Sequence, residues 1–184
     1  MTTRIVLSVL FLMLAGCAQI PRPAEGVRAA TDLPLLEPAS LGRSLSLSQI
    51  VRGEHDGKTY RARYELEITS DRLAIVMLSP IGITLSTIVY ENGALVVENY
   101  TQKAPSFDPR YTLFDLYLTY WPVAALRKVL EPIGLRLDES KDGSMRQLRD
   151  EQRQLVAEIT YEFKDSNTKI IAIRHFDIPY QINI

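Results

Sequence analysis

Arg61-Ala62-Arg63-Tyr64-Glu65-Leu66-Glu67-Ile68 decides the fold class. Successive side chains of an extended chain point to opposite faces, so Ala62, Tyr64, Leu66 and Ile68 share one face and Arg61, Arg63, Glu65 and Glu67 the other. One face meets water and the other is covered, the pattern of an antiparallel strand. Upstream, Leu45 to Val51 alternates small polar residues with aliphatics, and Asp56-Gly57 is a hairpin turn signal. Downstream, Arg72 to Leu78 is nearly all apolar, as in a strand covered on both faces, and Ser79-Pro80-Ile81-Gly82 breaks it. Ile83 to Tyr90 resumes, and Glu91-Asn92-Gly93 turns tightly into Ala94-Leu95-Val96-Val97. Residues 59–100 therefore read as four consecutive antiparallel strands, which must bury their apolar face against something.

The cover follows. Between Arg110 and Arg127 the only charge is Asp115, and Leu113, Phe114, Leu116, Tyr117, Leu118, Tyr120 and Trp121 crowd the segment before Pro122. Such density predicts a helix buried almost all round. Proline is tolerated at the first helical position, so Pro122 opens a second helix, with Leu126, Val129 and Leu130 on one face, and Pro132 and Gly134 end it. The reading is a helical pair broken at Trp121-Pro122.

Period two then returns. Leu135–Asp138 and Met145–Asp150 are weak strands around an Asp142-Gly143 turn. Gln154–Phe163 is a strong one, with Leu155, Ala157, Ile159, Tyr161 and Phe163 on one face. Asp165-Ser166-Asn167 turns the chain into Lys169–Phe176, and Ile178, Tyr180, Ile182 and Ile184 alternate to the carboxyl end, predicting a last strand stitched into the sheet. Some nine or ten strands around one helical insert predict a mainly β (α+β) fold, a curved antiparallel half-barrel with a helical plug.

The amino-terminal residues carry a different signal. Arg4 precedes an apolar run from Ile5 to Leu14 too short to span a bilayer comfortably, the layout of a secretory signal peptide. Leu14-Ala15-Gly16-Cys17 follows, and Cys17 is the only cysteine, so it has no internal disulfide partner. This is the pattern of a bacterial lipobox, in which the chain is cut before an acylated cysteine. Ala18, where an aspartate would mark inner-membrane retention, points to the outer membrane. Residues 18–42 hold four prolines and little periodicity and read as a tether, in which Leu33-Pro34-Leu35-Leu36 either docks on the domain or stays solvated. The expected organisation is a signal peptide at 1–16, a lipidated Cys17 and tether at 17–43, and one domain at 44–184.

Charge is balanced, with 21 Lys+Arg against 22 Asp+Glu, so no basic stripe for nucleic acid is evident. His55, in the Gly53–Gly57 turn, reads as solvated, and His175 lies in a strand between Arg174 and Phe176. Neither has metal or nucleophile spacing, and there is no Gly-x-Ser-x-Gly elbow or glycine-rich phosphate loop. Glu65 and Glu67 read as a charged solvent face with Arg61 and Arg63. No enzyme activity and no cofactor is expected; a small hydrolase assembled from separate loops is the remote alternative.

Leu78-Ser79-Pro80-Ile81-Gly82-Ile83-Thr84 resembles the strand–Pro-Leu-Gly–strand element of the outer-membrane lipoprotein receptor LolB. Pro122-Val123-Ala124-Ala125-Leu126-Arg127, ahead of Leu130 and Pro132-Ile133-Gly134, is similar to that family's helix with its Pro, Leu-Arg and closing Gly. Asp115-Leu116 and Tyr120-Trp121-Pro122 more closely resemble a family of uncharacterised outer-membrane lipoproteins of aryl polyene and related lipid gene clusters, grouped with LolA and LolB. The resemblance spans roughly residues 45–184. It implies a LolB-like incomplete barrel whose hydrophobic cavity, closed by helices, holds acyl chains. Ala62, Thr84 or Ser86, and Ala157 are small residues that would leave space inside, and Leu66, Leu85, Leu116, Tyr117, Trp121 and Leu126 are the candidate ligand-binding residues. The expected partners are a membrane, reached through the lipid anchor, and a hydrophobic or acylated ligand, with a LolA-like periplasmic carrier as a candidate for delivering it. The expected location is the periplasmic face of the outer membrane. The bland alternative is that the same aromatics fill a core and the protein acts structurally, through protein contacts.

Overall fold

The structure, a computed structural model, describes residues 32–55, 58–101, 108–165, 169–177 and 180–184. The signal segment, Cys17, the tether as far as residue 31, the Asp56-Gly57 turn, Ser166-Asn167 and Ile178 lie outside the described residues.

Ten strands form one open antiparallel sheet: β1 (Leu45–His55), β2 (Lys58–Ile68), β3 (Arg72–Leu78), β4 (Thr84–Glu91), β5 (Ala94–Asn99), β6 (Arg136–Glu139), β7 (Met145–Arg149), β8 (Leu155–Phe163), β9 (Lys169–His175) and β10 (Tyr180–Asn183). Their order is β5-β4-β3-β2-β1-β10-β9-β8-β7-β6. Two five-strand meanders thus meet at a β1–β10 seam, where Arg52 pairs with Asn183 and His55 with Tyr180. Helices α1 (Pro109–Tyr120) and α2 (Val123–Leu130) connect β5 at one edge to β6 at the other.

Local chemistry explains the elements. In β2, Leu66 and Ile68 are buried while Glu67 and the arginines are exposed, and Arg63–Glu65 (2.9 Å) and Arg72–Glu67 (3.8 Å) pair on the wet face. Asn92 (φ 52°) and Gly93 (φ 73°) both adopt the left-handed conformation that a two-residue hairpin turn demands. Asp108 caps α1 by accepting from the Arg110 amide at 2.9 Å, and Pro109 takes the first helical position, where its missing amide costs nothing. Trp121, extended at φ −74°, ψ 149°, ends α1, as a residue preceding proline favours. Gly134 (φ 75°) closes the short 3-10 turn after α2.

All eight residues from Thr112 to Thr119 are buried. At helical spacing Thr112, Asp115, Leu116 and Thr119 share the face turned to the sheet, where they line a cavity with sheet residues. The opposite face is covered by the chain's own amino-terminal segment: Arg110 donates to the Leu33 carbonyl (3.3 Å), and the Trp121 Nε1–H donates to Ser40 Oγ (2.8 Å). Leu33, Leu36 and Leu41 belong to the core. A domain begun at residue 44 leaves these three leucines out; the segment docks rather than staying solvated.

Two other positions differ from expectation. β1 runs on to His55, paired with Lys58, so Gly53–His55 is strand rather than turn. Phe163 sits on the expected face but 73 % exposed, past the end of the cover, with the Lys169 ammonium 5.5 Å from its ring. β5 is an edge strand, with Val96 and Val97 exposed.

Candidate functional site

The cavity of interest lies between α1 and the sheet and measures about 30 Å³. Val51, Leu66, Ile75, Ile173 and Ile182 provide its apolar wall, contributed by strands from both meanders. Apart from Leu116, the helix wall is polar, with Thr112, Asp115, Thr119 and Tyr120, and Gln49 and Tyr64 of the sheet add to it. Tyr120 donates its hydroxyl to Gln49 Oε1 at 2.7 Å, tying the end of α1 to β1, and burial pushes the Tyr120 phenol up to about 12. Space on this scale suits a water or a single polar group, whereas pockets for drug-sized ligands run to roughly 300 Å³ and above.

Beside the cavity, Asp115 of α1 meets His175 of β9, with Nε2 2.8 Å from Oδ1 and side chains only 5 % and 7 % exposed. His175 stacks at a tilt on Tyr180, ring centres 5.5 Å apart. Burial and the Asp115 charge both raise the phenols of Tyr64 and Tyr180 above their ordinary values. Burial alone would lower the His175 pKa. The charge and hydrogen bond of Asp115, with the charge of Asp177, more than reverse this and hold it above its ordinary value.

A basic group whose pKa is raised on folding stabilises the fold fully below its unfolded value, here 6.5, and loses that contribution as pH rises through the folded value. The urea midpoint is therefore expected to fall as pH climbs above 6.5, and Asp115→Asn to flatten the fall. An unchanged slope in the variant would remove the pair from this account.

The sequence-derived candidates divide. Leu66 and Leu116 line the cavity. Tyr117, Trp121 and Leu126 do not; they are fully buried in the packed core, Tyr117 and Trp121 edge-on with ring centres 4.7 Å apart. Leu85 also stays outside it. Met77 pairs with Ser86 and Leu78 with Thr84, so Leu85 is the extra residue of a β-bulge, half-buried and without a partner on β3. Of the small residues, Ser86 and Ala157 point inward and are buried, whereas Thr84 pairs with outward-facing Leu78. No motif announces the Asp115–His175 pair, although each half leaves a trace in the sequence. Asp115 is the lone charge in an apolar helix, and His175 keeps the inward parity of Ile171 and Ile173.

Residues 46–184 match the family described as a protein of unknown function, DUF3261. The chain belongs to that family. No curated protein matches it. The DUF3261 region includes the whole cavity, while the docked leucines of the amino-terminal segment lie before it.

Proposed function

We propose that the protein is a LolB-like lipoprotein, acylated at Cys17 and held at the periplasmic face of the outer membrane, whose sheet curves as a half-barrel around a site for an acylated or otherwise hydrophobic molecule. The observation that carries this reading is the cavity beneath α1, where aliphatic side chains from both meanders converge under a helix that covers them. At about 30 Å³ it is a starting point rather than a finished pocket, so a chain enters by displacing α1 from the sheet. Each methylene then buried contributes about 0.8 kcal/mol. Ile81, 82 % exposed at the tip of the β3–β4 loop, and Ile83 beside it present apolar surface suited to a bilayer. Several acyl chains on Cys17 would make attachment firm. A LolA-like carrier is the proposed donor, and the resemblance to aryl polyene cluster lipoproteins makes that lipid class a candidate cargo.

A second reading, an assembly lipoprotein with a filled core acting through protein contacts, is favoured by the complete burial of Tyr117, Trp121 and Leu126. The two are separated by purifying residues 18–184 without detergent, extracting the protein for lipid mass spectrometry and titrating it with 1-N-phenylnaphthylamine. The ligand reading expects co-purified lipid or saturable probe fluorescence displaced by added lipid. An empty protein that leaves the probe dark leaves only the filled-core reading standing.

A further inference from the structure

Asp115 carries a carboxylate oxygen with nothing to do. Its Oδ1 is engaged by His175 Nε2 at 2.8 Å, but Oδ2, buried, has no hydrogen-bond partner in the protein. One turn earlier on the same helical face, Thr112 Oγ1 is likewise buried and unpartnered. Both residues line the cavity. Thr119, the remaining hydroxyl of this face, donates to the Asp115 backbone carbonyl at 2.7 Å, so its proton does not satisfy Asp115 Oδ2. A buried carboxylate oxygen left unsatisfied costs the full desolvation of that group, so the site favours whatever donates a hydrogen bond to it. A second carboxylate or a phosphate would place like charges together in a water-poor space. Aliphatic groups alone would leave Oδ2 as it is.

We infer that the cavity receives a hydrogen-bond-donating head, a hydroxyl or an ammonium, at one end of the hydrophobic ligand, with Asp115 Oδ2 as its acceptor and Thr112 Oγ1 as a second contact. This rests on the ligand-binding reading and adds the chemistry of the head. The chain of such a ligand lies against Leu66, Ile75, Ile173 and Ile182, and the head occupies the polar wall on α1.

The test uses the full chain in phospholipid nanodiscs of fixed composition and three photoreactive probes with the same twelve-carbon diazirine chain, ending in an amine, an alcohol or a carboxylate. Cross-linked peptides are mapped by mass spectrometry. The amine and alcohol are expected to label peptides of α1 and β2 about tenfold more than the carboxylate does, and Asp115→Asn to remove most of the amine's advantage. Thr112→Val, which leaves the His175 pair intact, is expected to lower alcohol labelling several-fold and guards against misfolding of the Asp115 variant. Equal labelling by all three heads in the wild-type chain overturns the inference, because the site then takes the chain without regard to its head, while the ligand reading survives. Absence of labelling on these peptides by any probe overturns both.

Discussion

Replacing Trp121 by alanine is expected to destabilise the fold by about 3–5 kcal/mol, the range for emptying a large aromatic from a closed core. Trp121 is 0 % exposed, meets Tyr117 edge-on, and its indole N–H reaches Ser40 of the docked amino-terminal segment. Alanine therefore opens a cavity at the junction of α1, α2 and that segment and leaves the segment without its hydrogen bond. Trp121→Phe reduces the cavity term: it keeps one of the two rings and loses the other with the N–H, with an expected cost of about 1–2 kcal/mol. Urea denaturation followed by circular dichroism measures both. A loss below about 1 kcal/mol in the alanine variant, together with abolished probe binding, would move Trp121 from the core to the ligand.

The second large effect is expected at Arg146, where methionine should cost about 3 kcal/mol or more. The Arg146 side chain is 12 % exposed; its Nε pairs with Glu139 at 2.8 Å. Its Nη1 donates to the carbonyls of Leu118 (2.8 Å), Thr119 (3.4 Å) and Trp121 (2.9 Å). The last carbonyls of any helix lack partners within it, and here one guanidinium from β7 supplies them. The Tyr161 hydroxyl also donates to the Thr119 carbonyl, at 2.9 Å. Methionine keeps the stem's packing and removes every one of the Arg146 bonds, leaving Glu139 without its closest cation. Arg146→Lys should restore little, because a point charge cannot fork toward several oxygens. Amide exchange localised to α1 is the decisive readout. Slow exchange there in the methionine variant, with unchanged global stability, would show that the helix end is held by other means.

How much of this was legible follows from distance along the chain. The strands, the Asn92-Gly93 turn and the Trp121-Pro122 break depend on neighbours within a few residues, and, except where β1 runs on through Gly53–His55, they stand where period and turn chemistry put them. The bulge at Leu85 does not. One extra residue in β4 leaves the alternation of the flanking residues looking intact while detaching that position from its partner. The division of the aromatics is similarly tertiary. Tyr117, Trp121 and Tyr120 look alike as apolar helical positions, but only Tyr120 reaches the cavity, because Tyr117 and Trp121 share the face that the amino-terminal leucines cover. The Asp115–His175 pair joins residues 60 positions apart and two types of element, which no local period encodes.

The β1–β10 seam has a kinetic consequence. Each meander pairs strands nearly adjacent in sequence, but the bond between the two halves joins residues 52–55 to 180–183, so the closing contact spans most of the chain. Loop closure of that length is entropically expensive and comes late, and topologies rich in such contacts fold slowly. During synthesis the first meander emerges with β1 as an unpaired edge and waits for β10, the strand made last of the ten. The two halves stay unjoined, and β1 stays an open edge, for as long as β10 is withheld.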